Sequence, residues 1–183
     1  MEESVDVQRG GVRYAEIPAW TLLSAIGNGP GIFGDIGGLG VLASKEIAEA
    51  SQWTHVMTSE NKDTCRWAVK EGIRFAHQRA PWDLPFGQNY VKAALLRLPD
   101  LPRRPRNVES LEELSRVVQP EGVVVVSTPW GGLQEKRLCE LLERHQFSVS
   151  SVLQVRNGIV SDVHSTDDPI FAVAKAKWRP WTR

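Results

Sequence analysis

The residues best placed to do chemistry are two acids at the ends of two apolar runs. Asp35 lies near the end of Gly31-Ile-Phe-Gly-Asp-Ile36 and is followed by Gly37, Gly38 and Gly40. Glu60, with Asn61 beside it, follows Thr54-His-Val-Met-Thr58. A strand ending in an acid, a glycine turn, a helix, a second strand and a second acid form the layout of a nucleotide-cofactor half-site on a parallel sheet. The glycines let the backbone approach a ligand, and the helix N-terminus attracts negative charge. The second acid accepts hydrogen bonds from ribose hydroxyls. The same stretch fits a second pattern: Gly38-Leu-Gly40-Val-Leu-Ala43 matches G-x-G-x-x-A, with Glu60 about twenty residues on, as in nicotinamide-dependent oxidoreductases.

A second group of residues carries charge. Arg97, Arg103, Arg104 and Arg106 form a basic cluster in a Pro-rich loop. Near the C-terminus Lys175, Lys177, Arg179 and Arg183 interleave with Trp178 and Trp181. Basic and aromatic residues together suit a phosphate backbone with stacked bases; the competing explanation is a solvated loop and a tail packed on the body. Ser127-Thr-Pro-Trp130 follows a buried run and either lines a pocket or makes an ordinary turn. His55 and His77 fall on strand-like segments, as core-edge residues. No His/Cys spacing indicates a zinc site, and no Ser/His/Asp or Cys/His set can be assembled.

These residues must be held by a sheet with helices on both faces. Residues 1–17 read as a polar N-terminal arm, with a short strand at 12–15. Pro18 opens a helix over 19–26 that Gly27 closes. Strands follow at 32–36, 54–58, 73–77, 90–98 and 122–126, the last fully apolar and therefore buried on both faces. Helices are expected at 41–50, 61–71, 108–118 and 133–146, with Gly72 ending the second of these. Residues 79–88 and 100–107 read as loops. Two closing strands, 147–155 and 169–176, have no helix between them and should pair antiparallel. The alternation of strands and helices means right-handed crossovers and a parallel sheet, so the fold class is α/β, Rossmann-like, seven-stranded and mostly parallel. Residues 18–183 make one domain after the arm.

Composition sets the outer limits. At 183 residues with 42% hydrophobic content, the chain is long and apolar enough to bury a core. Its 22 basic and 22 acidic residues cancel, so nucleic-acid binding would have to come from a local patch. Two cysteines, Cys65 and Cys139, read as reduced thiols of an intracellular, cytoplasmic protein. No segment approaches the ~18 apolar residues of a membrane span, and the N-terminus has no secretory pattern. The seven tryptophans are expected mostly in the core or at its rim.

Six segments, in order, resemble the class I S-adenosylmethionine-dependent methyltransferases. Leu22-Leu-Ser-Ala-Ile-Gly27 and Pro30-Gly-Ile-Phe-Gly-Asp35-Ile-Gly37 resemble the family's helix, turn and first strand. Val56-Met-Thr-Ser-Glu60-Asn61 resembles its second-strand acid, and Trp82-Asp83-Leu-Pro-Phe86 its "acid, Leu-Pro-Phe" segment. The run from Leu114 to Val126 resembles its helix, turn and fifth strand, and 147–175 its closing antiparallel pair. The resemblance implies S-adenosylmethionine as cofactor, held by Asp35, Gly37, Gly38, Gly40, Glu60, Asn61 and Asp83. Arg97, Arg103, Arg104 and Arg106 would face the substrate or partner.

The departures from the family pattern bear on activity. The glycine turn is one residue shorter than acid-x-Gly-x-Gly-x-Gly. Gln78-Arg79 stands where an acid is expected after the third strand, leaving Asp83 nearby. Asn89-Tyr90-Val91-Lys92 replaces a Phe-Asp pair, and Arg97-Leu-Pro-Asp100 replaces the Asn/Asp-Pro-Pro-aromatic motif that cups a planar amine. In that last respect the chain resembles the non-catalytic half of duplicated rRNA guanine methyltransferases. Three functions stay open: a methyltransferase, including one acting on RNA; an inactive methyltransferase-like module that binds RNA or a ribonucleoprotein; and an NAD(P)-dependent oxidoreductase. Against the third stand the closing hairpin and the lack of a second domain. The methyl acceptor and oligomeric state are not encoded in any of these motifs.

Overall fold

The computed structural model describes residues 17–37, 41–98, 105–129, 131–163, 165 and 167–178. Pro18 leads into α1 (Ala19–Ile26), which Gly27 stops at φ 79°. Then come β1 (Gly31–Ile36), α2 (Val41–Ala50), β2 (Trp53–Ser59), α3 (Lys62–Lys70), β3 (Phe75–Gln78) and β4 (Val91–Arg97). The second half holds α4 (Pro105–Val117), β5 (Val118–Thr128), α5 (Glu135–Arg144), β6 (Phe147–Arg156), β7 (Ile159–Asp162) and β8 (Ile170–Ala176). Local chemistry fixes several ends. Asn61 caps α3 by accepting from the Asp63 N–H at 2.9 Å, and Asp63 and Lys70 sit at the ends the helix dipole favours.

All eight strands form one sheet, in the order β3-β2-β1-β4-β5-β8-β6-β7. The first five are mutually parallel. β8 runs antiparallel between β5 and β6. From β1 the chain steps outward to β2 and β3, then returns to the other side of β1 with β4. That reversal opens a crevice at the carboxyl ends of β1 and β4, where open α/β sheets bind ligands.

Side-chain alternation gives the sheet two dry faces. On one, Phe33, Trp53, Leu95, Val125 and Phe171 pack under Leu22 and Ile26 of α1 and Ile47 of α2. On the other, Ala94, Leu96, Val124 and Val126 meet Leu111 and Leu114 of α4 and Leu138 and Leu142 of α5. The central strands are buried on both sides, which is why they read as unbroken apolar runs. Truncating any of these leucines to alanine would cost about 2–5 kcal/mol.

The expected α/β architecture, with its antiparallel ending, is present, with one more strand than the seven expected. The added strand, β7, lies in the segment read as a polar loop. Asn157 and Gly158, at φ 52° and 75°, supply the two left-handed residues of a tight hairpin between β6 and β7. α4 starts at Pro105, three residues before the expected boundary, because proline is accommodated in the first helical turn. β5 reaches back to Val118, and α5 starts at Glu135 after a short 3₁₀ turn, Gly132–Gln134. The tryptophans are less buried than expected: among the described ones only Trp53 is in the core, and Trp20 and Trp178 are open. His77 is exposed on the edge strand, whereas His55 is buried. The strand expected at 12–15 lies outside the described residues.

Candidate functional site

The carboxyl ends of β1, β2 and β4 bring several of the sequence-derived site residues together. Asp35 is completely buried near the end of β1, and one of its oxygens accepts from the Ser44 hydroxyl of α2 at 2.7 Å. That bond ties the first strand to the helix that follows the glycine turn. His55, on the neighbouring strand in register with Phe33, packs its ring edge-on against that phenyl at 5.0 Å. Burial pushes the His55 pKa down, and the negative charge of Asp35 opposes this in part. Neither ring nitrogen of His55 has a hydrogen-bond partner among the described residues. Burial thus favours the neutral ring.

Gly37 follows at φ 93°, a conformation that side chains rarely adopt. Its N–H donates to the Thr58 carbonyl at 3.1 Å, tying the ends of β1 and β2 together. A Cβ at Gly37 would lie 3.5 Å from the Arg97 Cβ, so the glycine is required by its dihedral angle rather than by crowding. Gly38 and Gly40 lie outside the described residues.

Glu60 stands just past β2 and is exposed. Its backbone carbonyl accepts from the Gln78 side-chain amide at 3.3 Å, while its carboxylate has no ion-pair partner among the described residues. Asn61 spends its side-chain oxygen on capping α3. At the end of β3 the exposed Gln78-Arg79 pair stands where the resemblance implies an acid. Arg79 reaches Asp83 at 3.5 Å, an exposed and weak pairing.

The Asp83 segment is held by two residues that sequence reasoning missed. Arg116 of α4 donates to the Phe86 carbonyl at 2.7 Å and to the Leu84 carbonyl at 3.3 Å, and pairs with Glu113 at 2.6 Å. Glu113 in turn accepts from the Leu84 N–H at 3.1 Å. Arg116 holds the Glu113 carboxyl below its usual range, opposed by partial burial and aided by the Leu84 N–H. The three-residue spacing of Glu113 and Arg116 on a helix was the available signal, but it points equally to an ordinary surface pair.

Of the basic cluster, Arg106 and Arg97 are described. Arg106 lies in the first turn of α4, with its guanidinium 4.1 Å from the centre of the Trp82 ring and 3.7 Å from Glu109. Arg97 ends β4 in register with Ser127 and beside Gly37. Ser127 and Thr128 are buried, and the Thr128 hydroxyl donates to the Ile170 carbonyl. Arg103 and Arg104 lie outside the described residues, as do Trp130, Arg179, Trp181 and Arg183. Both cysteines are free thiols. Among the described residues no three His, Cys, Asp or Glu side chains could hold a metal ion, and no described helix is long and apolar enough to cross a membrane.

No protein-family model matches the sequence, and no curated protein matches it. Solved structures do. A chain of the complex between the Haloferax volcanii Trm112 methyltransferase activator and a methyltransferase superposes with a TM-score of 0.71 at 13% identity, over 88% of this chain and 89% of that one. Burkholderia thailandensis 1,6-didemethyltoxoflavin-N1-methyltransferase, solved with bound 1,6-didemethyltoxoflavin and S-adenosylhomocysteine, gives a TM-score of 0.67 at 16% identity over 88% of this chain and 78% of that one. The [4+2]-cyclase SpnF gives 0.69 at 11% identity over 87% and 79%. At these identities the likeness establishes the class I methyltransferase fold. The cyclase shows that the fold also hosts chemistry other than methylation.

Proposed function

We propose that this chain is an S-adenosylmethionine-dependent methyltransferase acting on RNA in the cytoplasm, with residues 18–183 as the methyltransferase-like domain. The observation that carries the proposal is Glu60. Its exposed carboxylate, free of an ion-pair partner among the described residues, stands past β2 beside the β1/β4 crevice, in a fold it shares with a methyltransferase solved with S-adenosylhomocysteine. The residues present fit the cofactor at this point. Glu60 accepts from the ribose hydroxyls, and Gly37, at its positive φ, presents no side chain to the ligand's amino-acid end. Asp83 offers a second acceptor once its weak pairing with Arg79 gives way. When bound, S-adenosylmethionine supplies an electrophilic methyl group, so the protein's task is to align an acceptor with it. Asp35 contributes from inside the fold, through Ser44 and the end of β1. Arg97 at the end of β4, Arg106 in the first turn of α4, and Arg103 and Arg104 between them in sequence are the residues that would meet the substrate, with a preference for the RNA phosphate backbone.

A second reading rests on a specific observation. Arg79 stands where an acid would receive the adenine amino group, and Arg97 stands where a planar amine would be cupped. Both favour a module that binds RNA without methylating it. Incubation with total RNA, or with a protein pool, and methyl-labelled S-adenosylmethionine separates the two readings. Label in RNA is the expected result. RNA binding without transfer would support the inactive module, and neither binding nor transfer would overturn both.

A further inference from the structure

The crossovers out of β1, β2 and β4 each carry a helix, but residues 79–90, between β3 and β4, contain none. α3 covers one side of β3: Met57, Ala68 and Ile73 pack there with Ala76. On the other side Phe75 and His77 follow the parity of Val56 and Thr58 and emerge with no helix above them. The segment that replaces the helix adds two more rings. Phe86 meets His77 edge-on at 6.3 Å and stacks on Tyr90 at 5.6 Å with the planes 8° apart. Four rings thus occupy one side of the sheet edge, and Phe75 and Tyr90 are 48% and 44% exposed.

Leaving large rings open to water is costly unless something covers them. The charge around them selects what that is. From residue 74 to residue 92 the chain carries Arg74, Arg79 and Lys92 against one acid, Asp83. Arg74 and Arg79 flank β3 at its two ends, about 17 Å of strand apart, Arg79 with the parity of Phe75 and His77 and Arg74 with that of Ala76 on the α3 side. Tyr90 ends a ready-made two-ring stack that a planar base would extend, and a phosphate could draw Arg79 from its exposed pairing with Asp83. Flat rings bordered by Arg79, weakly paired with Asp83, and by Lys92, which donates to the Pro30 carbonyl at 3.3 Å, fit bases and phosphates better than they fit an apolar protein surface.

We infer that this ring row is a stacking platform for unpaired bases of the RNA substrate. The inference rests on the proposed action on RNA. The test is fluorescence anisotropy with a labelled single-stranded RNA decamer and with the same sequence as a duplex, alongside calorimetric titration with S-adenosylmethionine. The single strand should bind more tightly than the duplex, whose bases are already stacked. Phe75→Ala and Tyr90→Ala should each weaken single-strand binding about tenfold, toward the lower end of the range for loss of one base stack, while Tyr90→Phe, which keeps the ring, should retain it. Both residues are half-exposed, so the folded state should survive, as circular dichroism would check. Single-strand binding that the alanine variants leave unchanged would overturn the platform and leave the RNA methyltransferase proposal standing. Ring-dependent RNA binding without S-adenosylmethionine binding would do the reverse. No RNA binding at all would overturn the platform and make the rings a protein-docking face.

Discussion

Arg116→Ala tests whether the clamp on the Asp83 segment is structural. The guanidinium makes two bonds to backbone carbonyls, Phe86 at 2.7 Å and Leu84 at 3.3 Å, and two to Glu113, at 2.6 and 2.8 Å. Hydrogen bonds to charged groups are worth about 1.5–3 kcal/mol each when isolated. Water replaces part of that here, because the Arg116 side chain is 38% exposed. A net loss of about 2–3 kcal/mol is expected, most of it from Glu113 and the Phe86 carbonyl left without their donor. In urea denaturation followed by circular dichroism, that loss moves the midpoint down by about 1 M, for a slope near 2–3 kcal/mol/M. Arg116→Lys should recover less than half of it, since an ammonium cannot span the carbonyls and the carboxylate as a planar fork does. A double-mutant cycle with Glu113→Gln should show a coupling of about 1–2 kcal/mol. A loss below about 0.5 kcal/mol for Arg116→Ala, or full rescue by lysine, would refute the clamp.

Ser44→Ala removes a 2.7 Å bond from a fully buried carboxylate and should cost about 1–3 kcal/mol of stability in urea or thermal melts; a melt within 1 °C of wild type would show that Asp35 does not depend on it. Asn61→Ala should cost about 1 kcal/mol through loss of the α3 cap, and Asn61→Asp should restore it. The buried His55 has its pKa below the ordinary 6.5, so the unfolded chain takes up a proton there that the folded chain refuses. Its effect is absent above that pH and destabilises the fold progressively as pH falls below it. Glu113, whose pKa lies below 4.5, adds a further loss as pH falls through and beneath that value. Urea midpoints should hold steady from pH 8 to 7 and fall toward pH 5. His55→Leu should flatten the upper part of that fall, and an unchanged slope would remove His55 from the account.

The sheet was legible because its central strands bury both faces. The runs at 32–36 and 123–126 show no polar interruption other than Asp35, and β1 and β5 duly flank β4. Asp35 stood out because it closes an apolar run just before the glycines at 37, 38 and 40. Its partner Ser44 was not found, since a serine within a helix carries no signal of what it meets across the chain. The hairpin at Asn157-Gly158 was written in the sequence as an Asn-Gly pair, but the strand after it is only four residues long and polar at its end. The open face of β3 could not be read from its residues. Alternation showed which side chains share a side, but only the absence of a helix over residues 79–90 leaves Phe75 and His77 exposed. Similarly, Arg116 gains its meaning from two carbonyls about thirty residues away in sequence.

The measurement that bears most directly on the proposed function is calorimetric titration of the purified chain with S-adenosylmethionine, S-adenosylhomocysteine and NAD, repeated on Glu60→Ala. S-adenosylmethionine and S-adenosylhomocysteine should bind at one site and NAD should not, with modest affinity because Gln78-Arg79 replaces the adenine-side acid. Glu60→Ala should weaken binding by about 1–3 kcal/mol, the cost of losing a charge-assisted acceptor. Binding of NAD alone, binding of none of the three, or unchanged S-adenosylmethionine affinity in Glu60→Ala would contradict the account.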